Sequence, residues 1–202
     1  MVELSLTGAL ERSRELGFLG PGEIGPQVTH ARAWLEVLRP GVRVMDLGSG
    51  GGLPGLVLAV ERQDLELTLL DSQARRCQFL SEMLVLLGRP QVAVLCGRAE
   101  TLGHDPGLRA SFDVVVARSF GAPPVTAECA AGFLRVGGSL WVSEPPDADP
   151  EQRWPNPGLL QLGLERGARV GVAVHLQELR ASSLCPEPFP RGDGRPSKRP
   201  LF

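Results

Sequence analysis

Lysine is almost missing from this chain. Lys198 is the only one among 21 basic side chains, and against 23 acidic ones the net charge is −2. No global field therefore draws the molecule toward nucleic acid. The near-exclusive use of arginine fits a GC-rich genome as well as selection for guanidinium chemistry, so it decides little.

Cysteine is also sparse. Cys77, Cys96, Cys129 and Cys185 show no C-x-x-C pairing, so metal and disulfide frameworks are not expected, and the four read as buried free thiols. No apolar run reaches the ~18 residues of a membrane span. Met1-Val2-Glu3 opens an acid-containing amphipathic segment rather than a basic leader, so no secretory signal is expected and the chain reads as cytoplasmic. Neither a Ser-His-Asp nor a Cys-His arrangement follows from the spacing. His30, alone on a helical stretch, reads as a surface or packed residue.

Glycine, in contrast, is abundant and locally dense. Val44-Met45-Asp46-Leu47-Gly48-Ser49-Gly50-Gly51-Gly52-Leu53-Pro54-Gly55 reads as a strand, a tight loop and a helix start. Glycine lets a ligand approach the backbone closely, and the helix N-terminus adds free N–H groups and partial positive charge. Gly50-x-Gly52-x-x-Gly55 formally matches the dinucleotide fingerprint, which by itself is a weak signal. Pro54 removes an N–H from the phosphate-binding end. Asp46 would repel a pyrophosphate but can pair with an amino-acid ammonium, directly or through water. S-adenosylmethionine has that ammonium and no phosphate, so it is the expected cofactor and a dehydrogenase is the weakest reading.

Leu65 to Asp71 reads as a second strand ending in an acid about 20 residues past the loop, where a doubly wound sheet holds ribose hydroxyls. Asp71 can fill that role, cap the next helix, or do both. Strands are expected at about 42–47, 66–71, 91–96, 112–117, 138–143, 169–175 and 177–183. Helices are expected at about 3–18, 26–38, 55–61, 73–87, 123–134 and 158–166. The alternation in the middle of the chain implies a mostly parallel sheet with right-handed crossovers. The length suits one domain: N-terminal helices over 1–40, a Rossmann-like core over 41–184, and a basic, Pro- and Gly-rich tail over 185–202 with little regular structure.

Three further segments reach the carboxyl edge of the expected sheet. Gly97-Arg98-Ala99-Glu100 either meets an adenine edge or simply starts a helix. Arg118 ends the fourth strand, where an unpaired buried guanidinium is costly. It would hold a methionine carboxylate, a substrate base or a phosphate, or form a salt bridge. Phe120 stacks on a base or packs in the core. Glu144 follows the fifth strand, its role open. In the tail, Arg191, Arg195, Lys198 and Arg199 against Asp193 would grip RNA phosphates or belong to a strap that packs Phe202 on the core.

These pieces together resemble the small-subunit ribosomal RNA methyltransferase G family, also called glucose-inhibited division protein B. Members carry a D-x-G-[ST]-G-x-G-L-P-G loop, here DLGSGGGLPG from Asp46 to Gly55. The family's L-L-D-S with a following basic pair and F-L corresponds to Leu69 to Ser72, Arg75-Arg76 and Phe79-Leu80. Its R-x-E element is Arg98-Ala99-Glu100. Its F-D-x-[IV]-x-[SA]-R-[AS]-F element is Phe112 to Phe120, and its P-R…P-x-K-R-P-L ending is similar to Pro190 to Leu201.

The resemblance implies a class I S-adenosylmethionine-dependent methyltransferase, with a seven-stranded, mostly parallel sheet and an N-terminal helical extension. It implies methyl transfer to N7 of a guanosine in 16S rRNA or a small-subunit precursor; a monomer is the expected state. Asp46, Gly48, Gly50, Gly52, Leu53, Asp71, Ala99, Glu100 and Arg118 would then form the cofactor site, with Arg118 closing the pocket and serving as the catalytic positioning residue. The chain departs from the family in lacking its N-L-T segment and its H-x-x-D-S element, the latter echoed only by His30. It also has Ser143-Glu144-Pro145-Pro146 where many members have lysine and glycine. A small-molecule or protein methyltransferase, or a cofactor-binding protein without catalysis, are the alternatives.

Overall fold

The computed structural model describes residues 4–202; Met1–Glu3, where the amphipathic start was expected, lie outside them. Seven strands form one sheet in the order β3-β2-β1-β4-β5-β7-β6. They are β1 (Arg43–Leu47), β2 (Glu66–Asp71), β3 (Ala93–Cys96), β4 (Phe112–Ala117), β5 (Leu134–Glu144), β6 (Leu164–Val170) and β7 (His175–Ala181). The first five pair in parallel, and β7 joins β5 and β6 antiparallel.

The central strands are apolar almost throughout because both of their faces are covered. Alternation along each strand sends successive side chains to opposite sides. Val44, Leu67, Leu69, Val114 and Val116 enter one core, with Leu56 and Leu58 of α3 (Gly55–Glu61), Leu80 and Met83 of α4 (Ala74–Leu86), and Trp34. Met45, Leu47, Leu70, Val115 and Ala117 enter the other, with Ala127 and Ala130 of α6 (Pro123–Ala131), Phe112, Phe133 and Trp154. The first core also takes α1 (Leu6–Glu15) and α2 (Ile24–Arg32). The strand order reverses between β1 and β4, so a crevice opens outside their carboxyl ends, the usual ligand position in such sheets.

Several boundaries differ from the sequence expectations. The first helix is bounded by Ser5, whose hydroxyl accepts from the Gly8 amide at 3.1 Å, and by Gly17 at φ 74°. The second gives way to a 3₁₀ turn, Ala33–Glu36, which buries Trp34. β5 begins at Leu134, ahead of the expected start at about 138: Gly137-Gly138 is accommodated inside the strand, and the β4–β5 register shifts there. The expected helix at 158–166 is α8 (Asn156–Leu160). Gly163 at φ 74° ends that run, and Leu164 already pairs with Ala181 in the sheet. A short helix α5 (Ala99–Leu102) starts where Gly97-Arg98-Ala99-Glu100 allowed one, and another, α7 (Pro150–Arg153), was not anticipated.

The tail is the largest departure. It contains a helical turn, α9 (Arg195–Lys198), and is tied down along its length. Arg109 donates to the carbonyls of Gly103, Phe189 and Cys185 at 2.8–2.9 Å. Arg191 pairs with Glu128, and Phe202 packs against Gly158, where a Cβ would come within 2.1 Å of the ring. Proline and glycine content conceals such anchors, because all of their partners are distant in sequence. Three of the four cysteines are buried as expected, but Cys96 is exposed.

Candidate cofactor and substrate site

The glycine loop is shaped by what surrounds it. Gly48 has φ 73°, and a Cβ there would lie 2.5 Å from Cδ2 of Phe120, so the position excludes a side chain twice over. The amides of Gly48 and Ser49 donate to the Leu70 carbonyl at 2.8 and 2.9 Å, which binds the loop to the end of β2. The Ser13 hydroxyl of α1 donates to the Gly51 carbonyl at 2.8 Å, closing the loop from the N-terminal side.

The two expected acids occupy different places. Asp46 is 1 % exposed and lies within β1 beneath the loop, not at its mouth. Its Oδ2 accepts from the Gly55 amide at 3.0 Å, so it stabilises the start of α3. Burial pushes its carboxyl up to about 7, against the effect of the Ser49 and Gly55 hydrogen bonds. Asp46 borders none of the three cavities described below. Asp71 does face the crevice. Its Oδ1 accepts from the Gln73 amide at 2.8 Å and its Oδ2 from the Gly50 amide at 2.9 Å. A carboxylate has about four acceptor sites, so two remain for a diol. Capping and ligand-facing roles therefore coexist in its geometry.

Two cavities meet around Gly48, Arg76 and Ser119. The larger, about 390 Å³, is bordered by Asp71, Gly97, Arg98, Ala99, Glu100 and Phe120. The smaller, about 240 Å³, is bordered by Gln27, Gly48, Gly50, Leu53, Arg118 and Ser119. Gly52 borders neither; at φ 101° it turns the loop, its amide donating to the Ser49 carbonyl at 2.7 Å. A third cavity, about 190 Å³, adjoins through Ser119 and Phe120 and reaches Glu144, Arg153 and Trp154.

Charge pairing separates the residues around these cavities. Glu100 is buried and committed: it pairs with Arg98 and accepts from the Gly194 amide at 3.0 Å. Burial opposes its charge, but the Gly194 amide and Arg98 outweigh that and hold its carboxyl below the usual range. Arg191 donates from Nε and Nη2 to Glu128 at 2.8 and 2.6 Å, so it anchors the strap to α6. Arg195, Lys198 and Arg199 remain exposed. Glu144, in the Ser143-Glu144-Pro145-Pro146 segment, pairs with Arg153, which offsets its charge.

Arg118 is the exception. It forms no ion pair among the described residues, and its one hydrogen bond is to Gln27 Oε1 at 3.5 Å. Partial burial lowers its pKa, partly offset by Asp46. Nearby, His30 is also lowered, by burial and then by Arg118, and its Nδ1 is buried without a partner. Sequence reasoning missed Gln27, Arg76 and Ser119. Arg76 lies 3.8 Å from Asp71, and its Nε is unpartnered. It had been visible only as half of a basic pair. Ser119 stands at φ 54°, a strained position for a serine at the exit of β4, which no sequence pattern discloses. No group of His, Cys, Asp and Glu suited to a metal occurs among the described residues.

The family model of the rRNA small subunit methyltransferase G family (GidB) matches residues 27–144, which span the loop, both acids and Arg118. The chain belongs to that family. It is 34% identical over 184 residues to the ribosomal RNA small subunit methyltransferase G of Lactobacillus delbrueckii subsp. bulgaricus, covering 86% of this chain and 76% of that one. It is 38% identical over 171 residues to the Deinococcus radiodurans protein of the same name, covering 79% and 66%. Among solved structures, a SAM-dependent methyltransferase from Aquifex aeolicus superposes with a TM-score of 0.59 at 16% identity, over 85% of this chain and 98% of that one. The antibiotic-resistance methyltransferase Kmr gives 0.57 at 17%, over 74% and 93%. The fold is that of the class I methyltransferases, and the chain is an S-adenosylmethionine-dependent methyltransferase of the ribosomal RNA class.

Proposed function

We propose that this enzyme transfers the methyl group of S-adenosylmethionine to N7 of a guanosine in 16S rRNA, within a small ribosomal subunit or its precursor. The observation that carries this reading is an open crevice at the β1/β4 switch point with an unpaired Arg118 at its rim, in a chain of this family. Bound there, the cofactor supplies an electrophilic methyl on a sulfonium.

The chain's residues fit such a ligand. Asp71 offers two acceptor sites to the ribose hydroxyls, and Ala99 with the neighbouring backbone borders the space for the adenine. Gly48, Gly50 and Leu53 admit the methionine part. Arg118 and Arg76 face an anionic group, such as the methionine carboxylate or an RNA phosphate, and a fixed guanidinium there organises charge ahead of reaction. No residue need remove a proton, because guanine N7 presents an in-plane lone pair and carries none. Placing that nitrogen in line with the methyl, and excluding water from it, is the catalytic task. The absence of a Cys or His catalyst is consistent with this.

One chain is the proposed working unit, acting as one methyltransferase domain, since Gln27 and Arg118 border the same cavity from N-terminal helix and core. A ribosomal RNA substrate implies a cytoplasmic enzyme. Glu144, which stands where many members have lysine, is paired with Arg153 and so presents no free negative charge against RNA. The test is transfer of label from methyl-tritiated S-adenosylmethionine to isolated small ribosomal subunits, followed by nucleoside analysis. Labelled 7-methylguanosine is expected; label in any other product, or none, overturns the proposal.

A further inference from the structure

The cavity of about 190 Å³ beyond Phe120 is left unused by the cofactor reading. It lies at the carboxyl ends of β4 and β5 and shares Ser119 and Phe120 with the cofactor crevice. Its far wall is formed by Glu144, at the end of β5, and by Arg153 and Trp154, contributed by the segment after α7 begins.

The polar groups of this wall are uneven in a telling way. Trp154 is 1 % exposed, yet its indole N–H is buried with no acceptor among the described residues. A buried donor of this kind normally finds a partner, and leaving it empty is costly. Glu144 is buried as well, and Arg153 engages both of its oxygens through Nε and Nη2, the second at 3.3 Å. That leaves acceptor capacity on the carboxylate and the Arg153 Nη1 donors without a protein partner. The wall therefore presents a fixed anionic acceptor beside an unpartnered indole N–H and a partly exposed guanidinium edge.

We propose that this cavity takes the target guanine and that Glu144 selects it, an inference that rests on the guanosine reading above. Guanine's Watson–Crick edge carries two adjacent donors, N1–H and N2–H, which match a carboxylate held in place by Arg153. Beside them O6 is an acceptor for Trp154 or Arg153. With that edge turned to the Glu144 wall, N7, on the other side of the purine, is directed back across Phe120 toward the methyl. Adenine presents an acceptor at N1 and would meet the carboxylate with a repulsive pairing. Arg153 is in this account a positioning residue, since it holds Glu144 in its orientation.

The experiment uses the full-length protein, labelled S-adenosylmethionine and small ribosomal subunits from cells lacking this gene. A second batch of subunits carries adenosine at the position that the wild-type enzyme is found to modify. Glu144→Gln should lower kcat/KM on the guanosine subunits by about tenfold to a hundredfold. It should also narrow the preference for guanosine over adenosine, because a side-chain amide pairs well with adenine. Trp154→Phe keeps the packed ring and should lower kcat/KM with cofactor affinity unchanged. The assignment is overturned if Glu144→Gln leaves both rate and base preference unaltered. It is overturned too if the variant loses activity on both substrates in parallel with a lower melting temperature, as a purely structural ion pair would require. If the wild-type enzyme modifies no guanosine in these subunits, the guanosine reading itself fails and the pocket assignment falls with it, an outcome separate from wild-type activity with unchanged selectivity in the variant.

Discussion

Arg118 at the exit of β4 and Arg191 in the C-terminal strap border neighbouring parts of one fold, yet they are treated in opposite ways. Arg191 is neutralised by Glu128, a fully buried carboxylate that also accepts from the Arg191 amide at 2.8 Å. Arg118 is half-buried with no carboxylate in contact and one long hydrogen bond. The same contrast runs through the acids: Glu100 is tied to the strap, whereas Asp71 keeps open acceptor sites toward the crevice. Pairing thus distinguishes charges that hold the chain together from charges left for a ligand. A buried ion pair broken on one side is strongly destabilising, while an unpaired group removed costs little stability.

The largest break in this contrast is expected at the strap. Arg191→Ala leaves Glu128 buried without its partner and should cost about 3–5 kcal/mol. Thermal denaturation would then show a melting temperature lower by roughly 6–20 °C for a chain of this size. A shift within a degree or two would mean that the pair is not structural. Next comes Arg118→Ala, which should leave the melting temperature nearly unchanged while lowering methyl transfer about a hundredfold or more. Equal losses of stability in the two variants would erase the distinction.

The sequence made one side of this comparison visible. DLGSGGGLPG and the acid ending β2 located the crevice, because short-range spacing is enough to place a loop at a sheet edge. Arg118 was legible for the same reason: an arginine ending an apolar strand must emerge at that edge. The strap was legible only as one alternative for the tail, and its anchor not at all, since Glu128 and Arg191 are 63 residues apart and nothing in either neighbourhood implies the other. The location of Asp46 was only half legible. Its position on the strand was correct, but its hydrogen bond to Gly55 depends on the loop folding back over it. Two boundaries near glycines were missed: β5 runs back through Gly137-Gly138 to Leu134, and the helix expected at 158–166 stops short of Gly163, whose φ is 74°.

A smaller and reversible effect is expected with pH. Burial raises the Asp46 carboxyl to about 7, whereas in the unfolded chain it titrates near ~3.9. Between those values the native state binds a proton that the unfolded state has released. The stability of the ligand-free enzyme should therefore fall as pH rises from about 4 to about 7, then level off. Asp46→Asn should flatten that slope in melts compared at pH 5 and pH 8; an unchanged slope would assign it to other groups.

The smallest effect belongs to the exposed side of the strap. Replacing Arg195, Lys198 and Arg199 together with glutamine should leave stability intact, weaken binding to small ribosomal subunits several-fold, and make that binding less sensitive to salt. Affinity measured at two ionic strengths reads this directly, and equal salt dependence in both proteins would leave the strap with an anchoring role alone.

The most direct test of the account is made in the host. The gene is deleted, and 7-methylguanosine is mapped in small-subunit rRNA by strand cleavage at modified sites, with complementation by wild type and by Arg118→Ala. The account predicts the loss of one signal, restored by wild type and not by Arg118→Ala expressed at equal level. A pattern unchanged by the deletion, or full restoration by Arg118→Ala, would contradict it.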